Sequence, residues 1–134
     1  MCDNRRFLRH VLVDLDQYAL FDIDVYGFPH EYVALICQRL QWTRFKAVGF
    51  VLTDCSVLNS ARNDVPNGLL VYLGIARHRG GQFWHSWRQG CLELIIQKAG
   101  RATQATIENM QYTVHTRGSS PPLYGGYLLR HQPS

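Results

Sequence analysis

Four aspartates near the start of the chain are the residues best suited to metal chemistry. Asp14 and Asp16 follow the apolar stretch HVLV, and Asp22 and Asp24 alternate with apolar residues shortly afterwards. Carboxylates clustered at strand ends can bind Mg²⁺ and support phosphodiester cleavage. A strand with one wet face, preceded by a bend, explains all four more simply as solvated positions. We therefore predict no metal site and keep a Mg²⁺-dependent nuclease only as an alternative.

Other patterns of catalysis are missing from the sequence. The six histidines show no spacing that would chelate zinc from one element, and the four cysteines form no CxxC pair. No GxSxG, GxGxxG or GxxxxGK motif is present. We therefore predict that the protein is not an enzyme and uses no cofactor.

The stretch RHRGGQFWHSWR, residues 77 to 88, places basic side chains beside aromatic ones. Trp settles at the headgroup level of a membrane while Arg meets lipid phosphates, and the same composition suits single-stranded nucleic acid. An equally good interpretation is one turn of a helix facing the core, because Phe83 and Trp87 are four residues apart. The residues predicted to contact a membrane or nucleic acid are Arg77, Arg79, Phe83, Trp84, Trp87 and Arg88.

A second candidate site is the sequence PPLY near the C-terminus. It matches the PPxY pattern, in which two prolines and a tyrosine fill the aromatic grooves of a WW domain. The polar, Gly-rich flanks predict that residues 118–126 form an exposed, flexible segment. The predicted docking residues are Pro121, Pro122 and Tyr124.

The elements that must position these residues are clearest between Leu20 and Asp54. Apolar residues alternate with aspartates in LFDIDV, which predicts a half-buried strand. From His30 the apolar period becomes helical, and Pro29 suits the first turn of such a helix. After Trp42 the apolar run FKAVGFVLTD predicts a second strand, covered on both faces. This region is expected to be the nucleus of the fold.

The rest of the chain predicts more strands than helices. FLRHVLVDLDQYALFDIDV is expected to form a hairpin, and residues 55–68 an exposed loop. LLVYLGIA, CLELIIQK, ATIENMQYTVH and YLLRH are each expected to be strands. The predicted fold is a single α+β domain over residues 1–134, with a basic arm at 1–6 and a curved, mostly antiparallel sheet carrying one or two packed helices.

Composition narrows the class of protein further. Hydrophobic residues make up 46% of the 134 residues and charged ones 18%, which excludes an intrinsically disordered chain. The formal net charge of +4 favours an anionic partner, either nucleic acid or an acidic lipid surface. No apolar run approaches the ~20 residues needed to cross a bilayer, and no signal peptide is recognised. We expect the protein to reside in a reducing cytosol.

The order of these features resembles that of rhabdovirus matrix proteins. The similar pieces are the strand LFDIDV, the helix EYVALICQRL ending near Trp42, the strand FKAVGFVL before the loop DCSVLNSA, and the strand GCLEL at Gly90 to Leu94. The resemblance covers roughly residues 20 to 60 and 84 to 98. Members of this family also carry PPxY late-domain motifs that recruit host WW-domain ubiquitin ligases.

The resemblance implies a structural function. A matrix-like protein of a negative-strand RNA virus would bind the inner face of the host membrane, self-associate, condense the viral nucleocapsid and promote budding from the host cytoplasm into the virion. The alternative is a nucleic-acid-binding protein, with RNA as its partner, or a PIN-like or NYN-like nuclease built on Asp14 and Asp16.

Overall fold

The computed structural model describes residues 8–10, 14–25, 27–54, 64–114 and 122–133, with His78 and Gly81 described by their backbone alone. Eight main elements follow one another along the chain: β1 (Leu20–Val25), α1 (His30–Arg39), β2 (Ala47–Asp54), α2 (Asn67–Leu73), α3 (Gly80–Ser86), α4 (Arg88–Ala102), β3 (Ala105–Val114) and β4 (Leu123–His131). Short 3-10 turns lie at Leu15–Gln17 and Arg77–Arg79. The fold is a single α+β domain, as the sequence predicts.

The four strands form one mixed sheet in the order β1-β2-β4-β3. β1 and β2 are parallel and connected through α1, whereas β4 pairs with β2 and β3 in antiparallel fashion. Two of the three pairings are therefore antiparallel. The predicted initial hairpin is wrong for the described residues, because residues 8–10 are helical and β1 pairs with β2 instead.

The β1-α1-β2 unit matches the sequence pattern. In α1 the apolar residues at helical spacing are all buried: Val33, Ile36, Cys37 and, at its C-terminal cap, Leu40. In β2 alternate residues of one face are fully buried, and the other face is partly covered. The helix stripe and the buried strand face belong to one apolar core.

Residues 69–76 and 91–98, which the sequence predicts to be strands, lie mainly or entirely in helices. LLVYLGIA contributes most of α2, which ends at Gly74 in the left-handed conformation, with φ 71°. CLELIIQK lies inside α4, so the GCLEL strand implied by the matrix resemblance is also wrong. Short apolar runs do not distinguish a strand from a buried helix. The one or two helices expected from the sequence are accordingly too few.

The last strand is longer than YLLRH and lies inside the sheet. Gly125 and Gly126 belong to β4, paired with β2 on one side and β3 on the other. A Cβ added to Gly125 would lie 2.8 Å from atoms of the Tyr127 ring, so that ring covers the glycine. The aromatic side chain supplies the packing that Gly125 lacks, which explains how this glycine occupies a central strand.

Candidate functional site

The most prominent exposed group of basic and aromatic side chains lies around α3. Arg77 and Arg79 are exposed in the short turn before the helix, and Trp87, just after it, is 50% exposed. Phe83 is half-buried, and its ring packs edge-on against that of Trp87 at a centroid distance of 5.3 Å. We call these four residues the α3 surface.

The Trp87 ring is held in place by the local backbone. Trp87 separates α3 from α4, and its φ of −138° and ψ of 45° interrupt the helix. A Cβ added to Gly90 would lie only 2.1 Å from the Trp87 ring, so the ring lies directly on this glycine. The indole is therefore both exposed and positioned, because a close approach to Gly90 supports one of its faces.

A shallow groove extends the α3 surface. Its volume is about 380 Å³. Its lining includes Ile75, Arg79, Phe83 and Leu94. An exposed guanidinium thus lies at the margin of an apolar depression. This combination of apolar area and cationic rim is typical of surfaces that meet an amphipathic partner.

The segment that builds this surface is free of acidic residues. No Asp or Glu occurs between Asp64 and Glu93, whereas three arginines do. No carboxylate within this segment offsets the charges of Arg77 and Arg79, whereas the third arginine, Arg88, pairs with Asp54 from outside the segment. This long interval without acidic residues is a further sequence signal for the site, and the prediction made from residues 77–88 did not use it.

Trp84 does not belong to the predicted contact surface. Its side chain is fully buried, and its ring packs edge-on against that of Phe28 at 4.7 Å. Trp84 and Phe83 are adjacent on a short helix, so their side chains diverge toward the core and the surface respectively. The membrane-contact prediction is therefore corrected for Trp84, which is a core residue.

Arg88 is also engaged inside the protein rather than at its surface. Its Nε donates to Asp54 Oδ2 at 2.7 Å, and its Nη2 donates to the Asp54 carbonyl oxygen at 2.8 Å. The Asp54 side chain is fully buried, and that of Arg88 is only 14% exposed. This ion pair joins the end of β2 to the start of α4. Contact of Arg88 with a membrane or nucleic acid is therefore not supported by its position.

Sequence reasoning missed the role of Asp54. It is the last residue of an apolar strand and lies 34 positions from its partner, so no local spacing connects the two. The Asp54–Arg88 ion pair supports the site because Arg88 directly follows Trp87 in the chain. By holding Arg88, the first residue of α4, the ion pair fixes the backbone next to the exposed indole.

Asp16 has a structural role that differs from metal binding. Its carboxylate is buried and accepts bonds from the backbone N–H groups of Gln41, Trp42 and Thr43 and from the Thr43 hydroxyl, at 2.5–3.2 Å. Burial alone would raise the pKa of Asp16, but these bonds outweigh it and hold the pKa below the ordinary value of 3.8. The carboxylate thus fastens the 3-10 turn to the loop after α1.

The other three aspartates do not converge on it. Asp14 is exposed and accepts the Asp16 backbone N–H at 3.0 Å, while Asp22 and Asp24 are exposed on β1. Among the described residues, no group of three or more His, Cys, Asp or Glu side chains is arranged to hold a metal ion. The solvated interpretation is confirmed for three of the aspartates and is wrong for Asp16.

The two described cysteines are buried thiols. Burial raises the pKa of Cys37 to about 12, and burial together with the Asp54 charge raises the pKa of Cys91 to about 12. A nucleophilic cysteine needs the thiolate, which these environments disfavour at neutral pH. Both side chains belong to the apolar core.

The PPLY residues are partly inside the sheet. Leu123 is 2% exposed, and Tyr124 is half-buried and pairs with Thr53 and Thr113 on the neighbouring strands. Pro122 is half-buried just before the strand, and Pro121 lies outside the described residues. The expected free, flexible segment is therefore wrong from residue 122 onward. Binding of Tyr124 in a WW groove would require these strand pairings to open.

Comparison of the chain with protein-family models, with curated proteins and with solved structures finds no match. None of the helices in the described ranges combines the length and the apolar character required to cross a membrane. The candidate site therefore rests on its own geometry.

Proposed function

We propose that the protein is a non-enzymatic, peripheral membrane-binding protein that attaches to anionic lipid through the α3 surface. The observation that carries the proposal is the half-exposed Trp87 ring, supported by Gly90 and accompanied by two exposed arginines in an acid-free segment. An indole at the headgroup level and guanidinium groups on lipid phosphates are complementary contacts. Neither contact requires the chain to enter the bilayer core.

The wider proposal is the matrix-like role that the sequence resemblance implies. In that role the protein would line the inner membrane face, self-associate, engage the nucleocapsid and promote budding. The β1-α1-β2 order supports it, since strand, helix and strand occur where the resemblance expects them. The helical GCLEL segment argues against it. We therefore rest the proposal on membrane attachment, which the matrix role would include.

Vesicle flotation tests the attachment. Each arginine near an anionic surface contributes about 1 kcal/mol, so Arg77→Ala with Arg79→Ala should weaken binding to phosphatidylserine-containing vesicles about thirtyfold. Raising the salt concentration should also weaken the binding of the wild type to these vesicles, because salt screens the attraction between arginine and lipid phosphate. Trp87→Ala should reduce binding to a similar or smaller extent, without unfolding the protein.

A matched control removes the same charge elsewhere. Arg44 and Arg101 are both exposed, and Arg101 lies thirteen residues along α4 from Arg88, about 20 Å away. Arg44→Ala with Arg101→Ala should leave flotation close to that of the wild type. An equal loss in both double variants would mean that net charge, and not the α3 surface, drives binding, and it would overturn the proposal.

Single-stranded nucleic acid is the second candidate partner, because an exposed, supported indole can also stack on a base. A labelled oligouridine in place of the vesicles distinguishes the two. Binding of the oligonucleotide by the wild type, lost in Trp87→Ala and unaccompanied by flotation, would favour the RNA-binding function. A nuclease is disfavoured, since the Asp16 carboxylate already accepts four hydrogen bonds.

A further inference from the structure

β1 is the edge strand of the described sheet and borders an apolar groove of about 390 Å³. All six strand residues, 20 to 25, line this groove. Successive residues of a strand point to opposite faces of the sheet, so a groove on one face would meet only three of them. A groove that meets all six must run along the edge of the strand, and it is about 20 Å long.

Within the part of the chain that the structure describes, no strand pairs with the backbone along the outer edge of β1. β1 is the first strand of the sheet, and among the described residues its only partner is β2. An edge strand presents N–H and C=O groups at alternate positions, and an extended peptide can pair with them. The opposite wall of the groove is apolar and aromatic, formed by Leu8, Leu15, Tyr18, Tyr32 and Ile36.

Charge identifies the kind of strand that fits. Asp22 and Asp24 are exposed, two positions apart on the same strand face, and both line the groove. Side chains directly opposite one another on paired strands interact, and like charges there are destabilising. A second copy of β1 would bring the same two carboxylates against its own. An added strand with Lys or Arg at every second position would instead pair with them.

We propose that the β1 edge binds an extended peptide segment of a partner protein, with basic residues at alternate positions and apolar residues between them. The basic side chains lie against Asp22 and Asp24, and the apolar ones face the opposite side of the added strand toward the groove wall. This site is separate from the α3 surface, and it presents two exposed carboxylates where the α3 surface presents two exposed guanidinium groups. Its proposed ligand does not depend on membrane attachment.

The test uses a fluorescein-labelled peptide of alternating Lys and Val as the probe, measured by fluorescence anisotropy with the full-length protein. We expect saturable binding that weakens as salt is raised. Asp22→Lys with Asp24→Lys should weaken it at least about tenfold, because two attractive pairs become repulsive. Both residues are exposed, so the variant should melt as the wild type does.

Two further peptides separate edge pairing from general charge attraction. A Glu-Val peptide should bind the double Lys variant better than it binds the wild type. A Lys-Val peptide N-methylated at alternate residues on its pairing edge should bind weakly, because it cannot donate the ladder hydrogen bonds. Equal binding of the methylated and unmethylated peptides would overturn the proposal.

Other outcomes also decide against it. No saturable binding of the Lys-Val peptide at low salt would overturn it directly. So would concentration-dependent dimerisation that Asp22→Lys with Asp24→Lys alters and that excludes the peptide, because the occupant would then be a second copy of this chain. A wild-type protein that binds the Lys-Val peptide but does not float with the vesicles would contradict only the membrane proposal, and one that floats but does not bind the peptide would contradict only this one.

Discussion

Asp16 and Asp54 are both buried, yet their carboxylates are stabilised in different ways. Among the described residues, Asp16 accepts bonds from neutral donors, three backbone N–H groups and one hydroxyl of the loop at residues 41–43. Asp54 is paired with the guanidinium of Arg88, which also donates to the Asp54 carbonyl oxygen. The first carboxylate organises a loop, and the second connects a strand to a distant helix.

These two buried carboxylates support the two proposed binding surfaces, the β1 groove and the α3 surface, in different ways. The 3-10 turn that contains Asp16 also supplies Leu15 to the wall of the β1 groove, and Tyr18 follows it directly. Arg88 follows Trp87, the exposed ring of the α3 surface. A local set of hydrogen bonds therefore supports one wall of the β1 groove, whereas one long-range ion pair supports the α3 surface.

The largest effect is expected at the ion pair. Arg88→Met keeps most of the apolar stem but leaves the Asp54 carboxylate buried without its cation. We expect the free energy of unfolding to fall by about 3–5 kcal/mol, measured by urea denaturation. Arg101→Met, on the exposed end of the same helix, is the control and should change little. A loss below about 1 kcal/mol would mean that the pair does not connect β2 to α4 energetically.

The next effect is expected at Asp16. Asp16→Ala removes the acceptor for three backbone N–H groups and the Thr43 hydroxyl, and we expect a loss of about 2–3 kcal/mol. Asp22→Ala, on the exposed face of β1, should be nearly neutral in the same denaturation experiment. If both variants unfold at the same urea concentration, the Asp16 hydrogen bonds do not stabilise the turn.

Acid should weaken the Asp16 site. Its folded pKa lies below 3.8, so its contribution is present above the unfolded value and is lost as pH falls through the folded one. As the pH falls below about 4, the melting temperature of the wild type should therefore fall more steeply than that of Asp16→Asn. If the melting temperatures of the two proteins fall in parallel as the pH is lowered, Asp16 does not contribute to the acid sensitivity of the fold.

High pH should also destabilise the protein, through the buried thiol of Cys91. The pKa of Cys91 is raised from 9.0 to about 12, by burial first and by the Asp54 charge second. A raised folded pKa means that stability is present below pH 9 and is lost as pH rises toward 12. Cys91→Ala should flatten this alkaline decline in the melting temperature. An unchanged decline would assign it to other groups, such as Cys37 or Tyr72, whose pKa values burial also raises.

The smallest effect on stability is expected on the α3 surface itself. Arg79→Ala should change the free energy of unfolding by less than about 0.5 kcal/mol, because the side chain is exposed. The same variant should lower partition onto anionic vesicles about fivefold. A substantial loss of stability would show that Arg79 packs in the fold, and the α3 surface would then be smaller than described.

Much of residues 20–54 could be predicted from the sequence because the periods there are unambiguous. Alternation in LFDIDV fits only a strand, and the stripe from Val33 to Leu40 fits only a helix. The sequence of α4 also contains a helical period, but its short apolar run CLELIIQK was interpreted as a strand. Leu92, Ile95, Ile96 and Ala99 are buried at helical spacing, and this stripe distinguishes a helix from a strand.

The residues of the candidate site also divide into those that the sequence could predict and those that only tertiary contacts could assign. The sequence brought together the exposed Arg77, Arg79 and Trp87 because they are close along the chain. It could not separate them from Trp84 or Arg88, since neighbouring positions in a short helix or at its start face different surroundings. Only packing against Phe28 and pairing with Asp54 assigned those two side chains to the interior.

By itself the sequence determined the class of fold, the β1-α1-β2 unit and the basic-aromatic character of the α3 surface, because each depends on residues within a few turns of one another. The tertiary structure alone decided that the glycines after PPLY enter a central strand, that Asp54 meets Arg88, and that β1 is the edge strand of the described sheet, beside an apolar groove. These features depend on contacts between residues far apart in the chain. Local periodicity carries no information about which distant partner will supply a hydrogen bond, an opposite charge or a covering ring.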